Sequence, residues 1–125
     1  MQVLGLSSEE DDTSCLGLLP FRLERFRVQE PVPHMGWNDL EASSTNVEAL
    51  RAFDGLPPRP DVYFVHSYRA PLDEASRGVA LATSTYGGET FLAAVAQGPL
   101  WGFQFHVEKS GRVGLALLRN FIEAH

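Results

Sequence analysis

Four apolar runs rich in β-branched and aromatic residues crowd the second half of this chain, and the connections between the last three are too short to cross over. They are "DVYFVHSY" (61–68), "GVALATSTYGG" (78–88), "ETFLAAVAQG" (89–98) and "LWGFQFH" (100–106). Runs of this composition favour strands. A parallel neighbour needs a connection of about a dozen residues or more. The last three runs are therefore expected to pair as antiparallel neighbours, the first of them closing in its glycine turn. From Gly111, "GRVGLALLRNFIEAH" places Val113, Leu117, Leu118, Phe121 and Ile122 on one helical stripe.

The first half is less regular. "MQVLGL" reads as the end of a helix, and "CLGLLPFRLERF" (15–26) as a turn followed by a strand offering Phe21, Leu23 and Phe26 to a core. Pro31 and Pro33 bracket a bend. In "NVEALRAF" (46–53), Val47, Leu50 and Phe53 recur at three-residue spacing, which predicts a short helix capped by the preceding Ser-Ser-Thr-Asn run. "LPPRP" (56–60) is a stiff connector. Strands alternating with a few helices define an α/β fold class.

At 125 residues the chain suits one domain, and 44% hydrophobic residues can supply its core. A net charge of -6 argues against nucleic acid or an anionic membrane as the main partner. The acid is concentrated in "SSEEDD" (7–12), expected to be a solvated loop. No apolar stretch reaches the roughly 18 residues that span a bilayer, and the start lacks the pattern of a signal peptide. The single cysteine, Cys15, excludes an internal disulfide and fits a reducing compartment. A cytoplasmic globular domain is the expectation.

"GFQFHVEKS" (102–110) carries the chemistry. If the strand continues through it, Phe103, Phe105 and Val107 share one face, and Gln104, His106 and Glu108 the other. A carboxylate two residues from an imidazole can fix its tautomer and stabilise the cation formed when the ring accepts a proton. That makes a base with its orienting acid, which needs a thiol or hydroxyl to act on. A structural histidine beside a surface glutamate is an alternative reading. So is a metal site joining His106 and Glu108 to His34 or His66, although no pair shows a recognised metal-ligand spacing.

"GFQFHVEKS" followed by "GRVGLALLRNFIE" resembles the C-terminal signature of class I glutamine amidotransferases, whose triad is Cys-His-Glu. Within that class the chain resembles the glutaminase subunits of imidazole glycerol phosphate synthase. "LGLLP" (16–20), "PHMGWN" (33–38) and "YFVHSYRA" (63–70) follow that family's order and spacing. The resemblance implies a flavodoxin-like three-layer α/β fold, with residues 1–125 as the C-terminal part of a single amidotransferase domain. It implies glutamine hydrolysis to glutamate and ammonia, delivered to a (β/α)8-barrel cyclase that forms imidazole glycerol phosphate and AICAR. His106 would be general base and acid, and Glu108 would orient it. Gln2, Ser67 and Tyr68 would hold the substrate glutamine. Trp37, Tyr63 and Lys109 would meet the cyclase, although Trp37 and Tyr63 equally suit a core and Lys109 a solvated surface. No metal or organic cofactor is implied for the glutaminase step.

Two departures stand out. The family's nucleophile lies on a Gly-x-Cys-x-Gly-Met-Gln elbow, and this sequence aligns from the Met-Gln, so the fragment is expected to lack the nucleophile and the central strands and to be inactive alone. Cys15 has no such elbow around it. An apolar face and an open strand edge are then expected to be exposed. The second departure is Val107, where the family has proline, a loss of rigidity rather than chemistry. Two other readings remain: a non-catalytic docking module derived from an amidotransferase, and the amidotransferase of another pathway (GMP, anthranilate or pyridoxal phosphate synthesis).

Overall fold

The computed structural model describes residues 1–43 and 49–125. Among the described residues, ten strands form three sheets, with one α-helix. The strands are β1 (Ser7–Ser8), β2 (Thr13–Ser14), β3 (Arg22–Arg25), β4 (His34–Asp39), β5 (Glu41–Ala42), β6 (Asp61–His66), β7 (Tyr68–Arg69), β8 (Ala80–Tyr86), β9 (Glu89–Gln97) and β10 (Leu100–Phe103). The helix is α1 (Gly111–Ala124). The sheets run β2-β1-β3-β7, β10-β9-β8-β5 and β4-β6. The expected antiparallel neighbours are present: Thr85 opposes Thr90 across the Gly87–Gly88 turn, and Trp101 opposes Ala96.

β9 explains the layering. Residues 91–96 are buried without a break, which requires cover on both faces of the sheet. On one side Phe91 and Ala93 join Phe26, Leu40, Val62, Phe64, Phe105 and Leu117, so the β4–β6 pair and α1 pack there. On the other, Leu92 and Val95 meet Leu19, Phe21, Leu23 and Ala70 of the N-terminal sheet. The predicted core residues Phe21, Leu23 and Phe26 are all buried.

Several expectations need correction. The run 100–106 is a strand only to Phe103. Gln104 N–H still reaches the Ala93 carbonyl, but His106 N–H bonds Tyr63 O on β6, so the chain has crossed to another sheet. Val107–Lys109 is a 3-10 turn. The run 61–68 likewise breaks after His66, and Tyr68–Arg69 pairs with β3. "MQVLGL" is one 3-10 turn, Gln2–Leu4, not the end of an α-helix. The short helix near residue 50 is a 3-10 segment, Ala49–Phe53, while Val47 and the capping run from Ser44 to Asn46 lie outside the described residues. "SSEEDD" contains β1 and a 3-10 turn, Glu10–Asp12.

α1 buries only part of the stripe that its large residues predict, Leu117 fully and Val113 in part. Gly114, Ala116 and Leu117 face inward, whereas Leu115, Leu118, Phe121 and Ile122 are exposed. The cause is close approach. A Cβ on Gly114 would collide with the Val107 carbonyl, so only glycine lets the helix sit against the 3-10 turn. Asn120 Nδ2 fixes the far end by donating to the carbonyls of Ala52 (2.8 Å) and Asp54 (3.0 Å).

Candidate active site

Two groups of residues hold the polar side chains singled out in the sequence. The first is the 3-10 turn that follows β10. His106 Nδ1 lies 2.7 Å from Glu108 Oε1. The two meet because His106 is extended (φ -85, ψ 103) and the turn that starts at Val107 swings Glu108 back beneath the ring. They are not on one face of a strand, as the alternation predicts, yet the pairing is made. Ser110, fully buried, locks the turn: its hydroxyl donates to His106 O at 2.6 Å and accepts the Tyr63 N–H at 3.1 Å. Together with His106 N–H to Tyr63 O at 2.9 Å, this clamps His106 to β6 from both sides. Nothing in the residue pattern marks Ser110 for that task.

The Glu108 carboxyl is held below the usual carboxylate range, first by its own backbone N–H and then by the His106 ring. It is therefore charged near neutrality, and as an acceptor it draws the imidazole proton onto Nδ1. His106 Nε2 is left without a protein hydrogen-bond partner among the described residues, and the side chain is 39% exposed. A ring in that state can accept a proton from a group placed before it.

Val107 donates no hydrogen bond from its backbone among the described residues, and it occupies the first position of the turn. Proline suits both conditions, and the residue before it is already extended. Val107→Pro is expected to stabilise the chain by about 0.5–1 kcal/mol, by restricting the unfolded state. Chemical denaturation checks this, and any loss of stability contradicts it.

The second group is an open cavity of about 590 Å³, lined by Gln2, Ser67, Tyr68, Gln104, Glu10, Arg25 and His66 among others. Gln2 Nε2 donates to Tyr68 O (2.8 Å) and to Gln104 Oε1 (2.7 Å). The three residues assigned to substrate thus meet, although Gln2 and Tyr68 are 66 positions apart. His106 and Glu108 are not part of this lining. They lie close by: Gln104, two residues before His106, is in the wall, and His66 is near enough to feel the charge of His106. Glu10 is a contributor that the sequence reading left in a solvated loop. Only the 3-10 turn after β1, which carries it to the cavity wall, reveals it.

Trp37, Tyr63 and Lys109 form a third cluster. Alternation on β4 and β6 points Met35, Trp37 and Tyr63 outward, and the register sets Trp37 opposite Tyr63. Their rings meet edge-on at 5.8 Å, and Lys109 Nζ stands 6.0 Å from the Tyr63 ring. Trp37 is 58% and Met35 62% exposed, so Trp37 is not a core residue. Cys15 directly follows β2, the edge strand of its sheet, with its N–H on the Leu6 carbonyl, and it makes no hydrogen bond with His106 among the described residues. His34 and His66 face each other, and no group of three or more metal-ligating side chains occurs among the described residues.

A histidine–carboxylate pair and a cavity with amide side chains in its wall are thus carried on one mixed α/β framework. The family model for glutamine amidotransferase class-I matches residues 1–124, and the chain belongs to that family. Among curated relatives, it is 45% identical over 125 residues to the imidazole glycerol phosphate synthase subunit HisH of Synechococcus sp. (strain JA-3-3Ab), covering 98% of this chain and 56% of that protein. It is 46% identical to subunit HisH 2 of Legionella pneumophila (strain Lens), over 98% of this chain and 58% of that protein. It is 41% identical to the imidazole glycerol phosphate synthase hisHF of Emericella nidulans, of which it covers 23%. The chain spans a little over half the length of the HisH relatives. A solved structure described as a GMP synthase subunit from Thermoplasma acidophilum shares the fold, with a TM-score of 0.59 at 18% identity over 83% of this chain and 48% of that one. No helix is long and apolar enough to cross a membrane among the described residues.

Proposed function

We propose that this chain supplies the base, its orienting acid and the substrate cavity of a glutaminase serving imidazole glycerol phosphate synthase in the cytoplasm. The observation that carries the reading is the 2.7 Å contact between His106 and Glu108. His106 Nε2 takes the proton of a cysteine thiol as sulfur attacks the glutamine carboxamide. The imidazolium then protonates the departing nitrogen, releasing ammonia and leaving a γ-glutamyl thioester. Water, deprotonated by the same nitrogen, cleaves the thioester to glutamate and restores the thiol. Glu108 stabilises the imidazolium in each half. Acyl transfer of this kind draws on side chains and water alone. Cys15, which has no glycine elbow around it and no hydrogen bond with His106 among the described residues, is not that thiol.

The cavity suits an amino-acid head. Glu10 and Arg25 provide one charge of each sign at its wall, to match an α-ammonium and an α-carboxylate, and Gln2 supplies an amide. The deciding experiment is a chimera in which this chain replaces the matching 125-residue stretch of the Synechococcus relative. Hydrolysis of glutamine by the chimera supports the reading. A folded chimera that binds the cyclase barrel without turnover would leave a docking module instead.

The partner reading rests on the exposed Met35–Trp37–Tyr63 face with Lys109 at its edge, an aromatic patch beside a cation of the kind that dominates interface energetics. The Emericella relative is long enough to carry such a partner in one polypeptide. His106 is tied to this face through Tyr63, so the docked surface lies directly behind the base. Trp37→Ala is expected to weaken binding of the cyclase barrel about 30-fold, read by titration calorimetry. An unchanged affinity would move the interface elsewhere.

A further inference from the structure

Between the cavity and the exposed β4 face lies a buried pair of imidazoles that the catalytic reading leaves without a task. His34 and His66 are cross-strand partners on β4 and β6, 3% and 7% exposed. Phe26, Phe64 and Phe91 pack around them, and Tyr86 stacks on His34 with ring centres 4.1 Å apart. A buried imidazole destabilises the core unless its nitrogens find partners. Here all four do.

The contacts decide which nitrogen holds each proton. Asn38 Oδ1 accepts the Asp39 N–H, and its Nδ2 donates to the Thr85 carbonyl, both at 2.9 Å, so the orientation of this amide is fixed. The second amide hydrogen then faces His34 Nε2, 3.4 Å away, and that nitrogen accepts. At the other end the Tyr68 carbonyl can only accept, so His66 Nδ1, 2.9 Å from it, must carry hydrogen. His66 therefore offers a bare Nε2, and His34 Nδ1–H fills it at 2.9 Å. Every donor points the same way, from Asn38 to Tyr68 O. That carbonyl is the one that also accepts Gln2. Burial keeps both rings uncharged near neutrality, which the chain requires, since a protonated His66 would turn its acceptor into a donor.

We propose that His34 and His66 are positioning residues for the cavity: two imidazoles, each carrying its proton on Nδ1, that relay a one-way hydrogen-bond chain from Asn38 to the Tyr68 carbonyl and so hold Tyr68 and Gln2 in place for glutamine. This rests on the cavity being the glutamine site. The relay acts where it is needed, because the backbone leaves one sheet at His66 and joins another at Tyr68, with Ser67 of the cavity wall between them.

The test compares His34→Leu with His34→Asn in the 125-residue chain. Leucine fills the space and serves a packing role better. Asparagine places an N–H near the position of the lost Nδ1–H and serves the relay better. Imidazole 15N spectra at neutral pH are expected to show both rings of the unsubstituted chain as Nδ1–H tautomers. His34→Leu is expected to shift the Tyr68 carbonyl and the Gln2 side-chain amide resonances, and to weaken glutamine binding about tenfold by titration. His34→Asn is expected to hold affinity within about threefold of the unsubstituted chain. An Nε2–H tautomer or a cation on either ring, or Tyr68 and Gln2 resonances that ignore His34→Leu, overturns the relay. Absence of glutamine binding by the unsubstituted chain overturns the cavity reading, and the resonances then judge the relay by themselves.

Discussion

In the chimera, His106→Ala lowers kcat for glutamine hydrolysis by about a thousandfold, within the range that a positioned general base contributes, and leaves glutamine affinity within about threefold. The split follows from the geometry. His106 is absent from the cavity wall, so the groups proposed to grip glutamine survive its removal. The proton transfers to and from sulfur, nitrogen and water do not. Glu108→Gln separates charge from hydrogen bonding, because the amide oxygen can still accept from Nδ1–H at the same distance. Loss of the negative charge is expected to lower kcat by about 10- to 100-fold, because the imidazolium formed during turnover loses its stabilising partner. Cys15→Ser is expected to leave turnover unchanged. Steady-state kinetics with and without these substitutions checks all three. Retention of more than about a tenth of the rate by His106→Ala would remove the base from the mechanism, and abolition by Cys15→Ser would bring that thiol back into it.

The site was legible in the sequence to different depths. The spacing of His106 and Glu108 was enough to pair them, but the alternation of Phe103, Phe105 and Val107 pointed to a strand that the chain does not form there. Local pattern cannot show that residue 106 hands its N–H to Tyr63 instead of continuing along β9. Motif order brought Gln2, Ser67 and Tyr68 to one place, while Glu10 was hidden in an acidic run whose composition reads as solvent-facing. Strands β8 and β9 were plain because their apolar runs are long and end in glycine turns. In α1 the period was right and the face only partly so: Leu117 is buried and Val113 half-buried, while Leu118, Phe121 and Ile122 are exposed. Patterning by large residues overlooks the buried Gly114 and Ala116, and Gly114's lack of a Cβ is what brings the helix against the turn at Val107–Lys109. The imidazole pair illustrates the same limit. His34 and His66 sit in separate motifs, and only the β4–β6 register places them opposite each other.

That register has a consequence for stability. Burial lowers the His34 pKa from the usual 6.5 to about 4. His66 is lowered to about 4, chiefly by burial, with the Tyr68 carbonyl opposing and the charges of His34 and His106 adding to the drop. Arg69, whose guanidinium lies 5.8 Å from the far face of the Phe26 ring, brings another cation to this region, partly balanced by Glu89 and Glu24. The sign follows from proton counting. Above pH 6.5 neither the folded nor the unfolded chain holds a proton on these rings, and the full stability is present. Between 6.5 and about 4 the unfolded chain binds protons that the folded chain refuses, so the free energy of unfolding falls as pH falls. Below about 4 both states are protonated and the loss is complete. Each ring contributes on the order of 3 kcal/mol across this window, and the two together approach the whole stability of an ordinary domain. Where both rings titrate, the slope of unfolding free energy reaches about 2.7 kcal/mol per pH unit, the value for two protons. Urea denaturation of the chain at several pH values between about 7.5 and 4 measures it, and His34→Asn should halve the slope by removing one of the two titrating rings. Unfolding free energy that stays flat from about pH 6.5 to 4.5 would show that protons enter the folded pair as readily as the unfolded chain, and the buried, uncharged imidazoles would have to be abandoned.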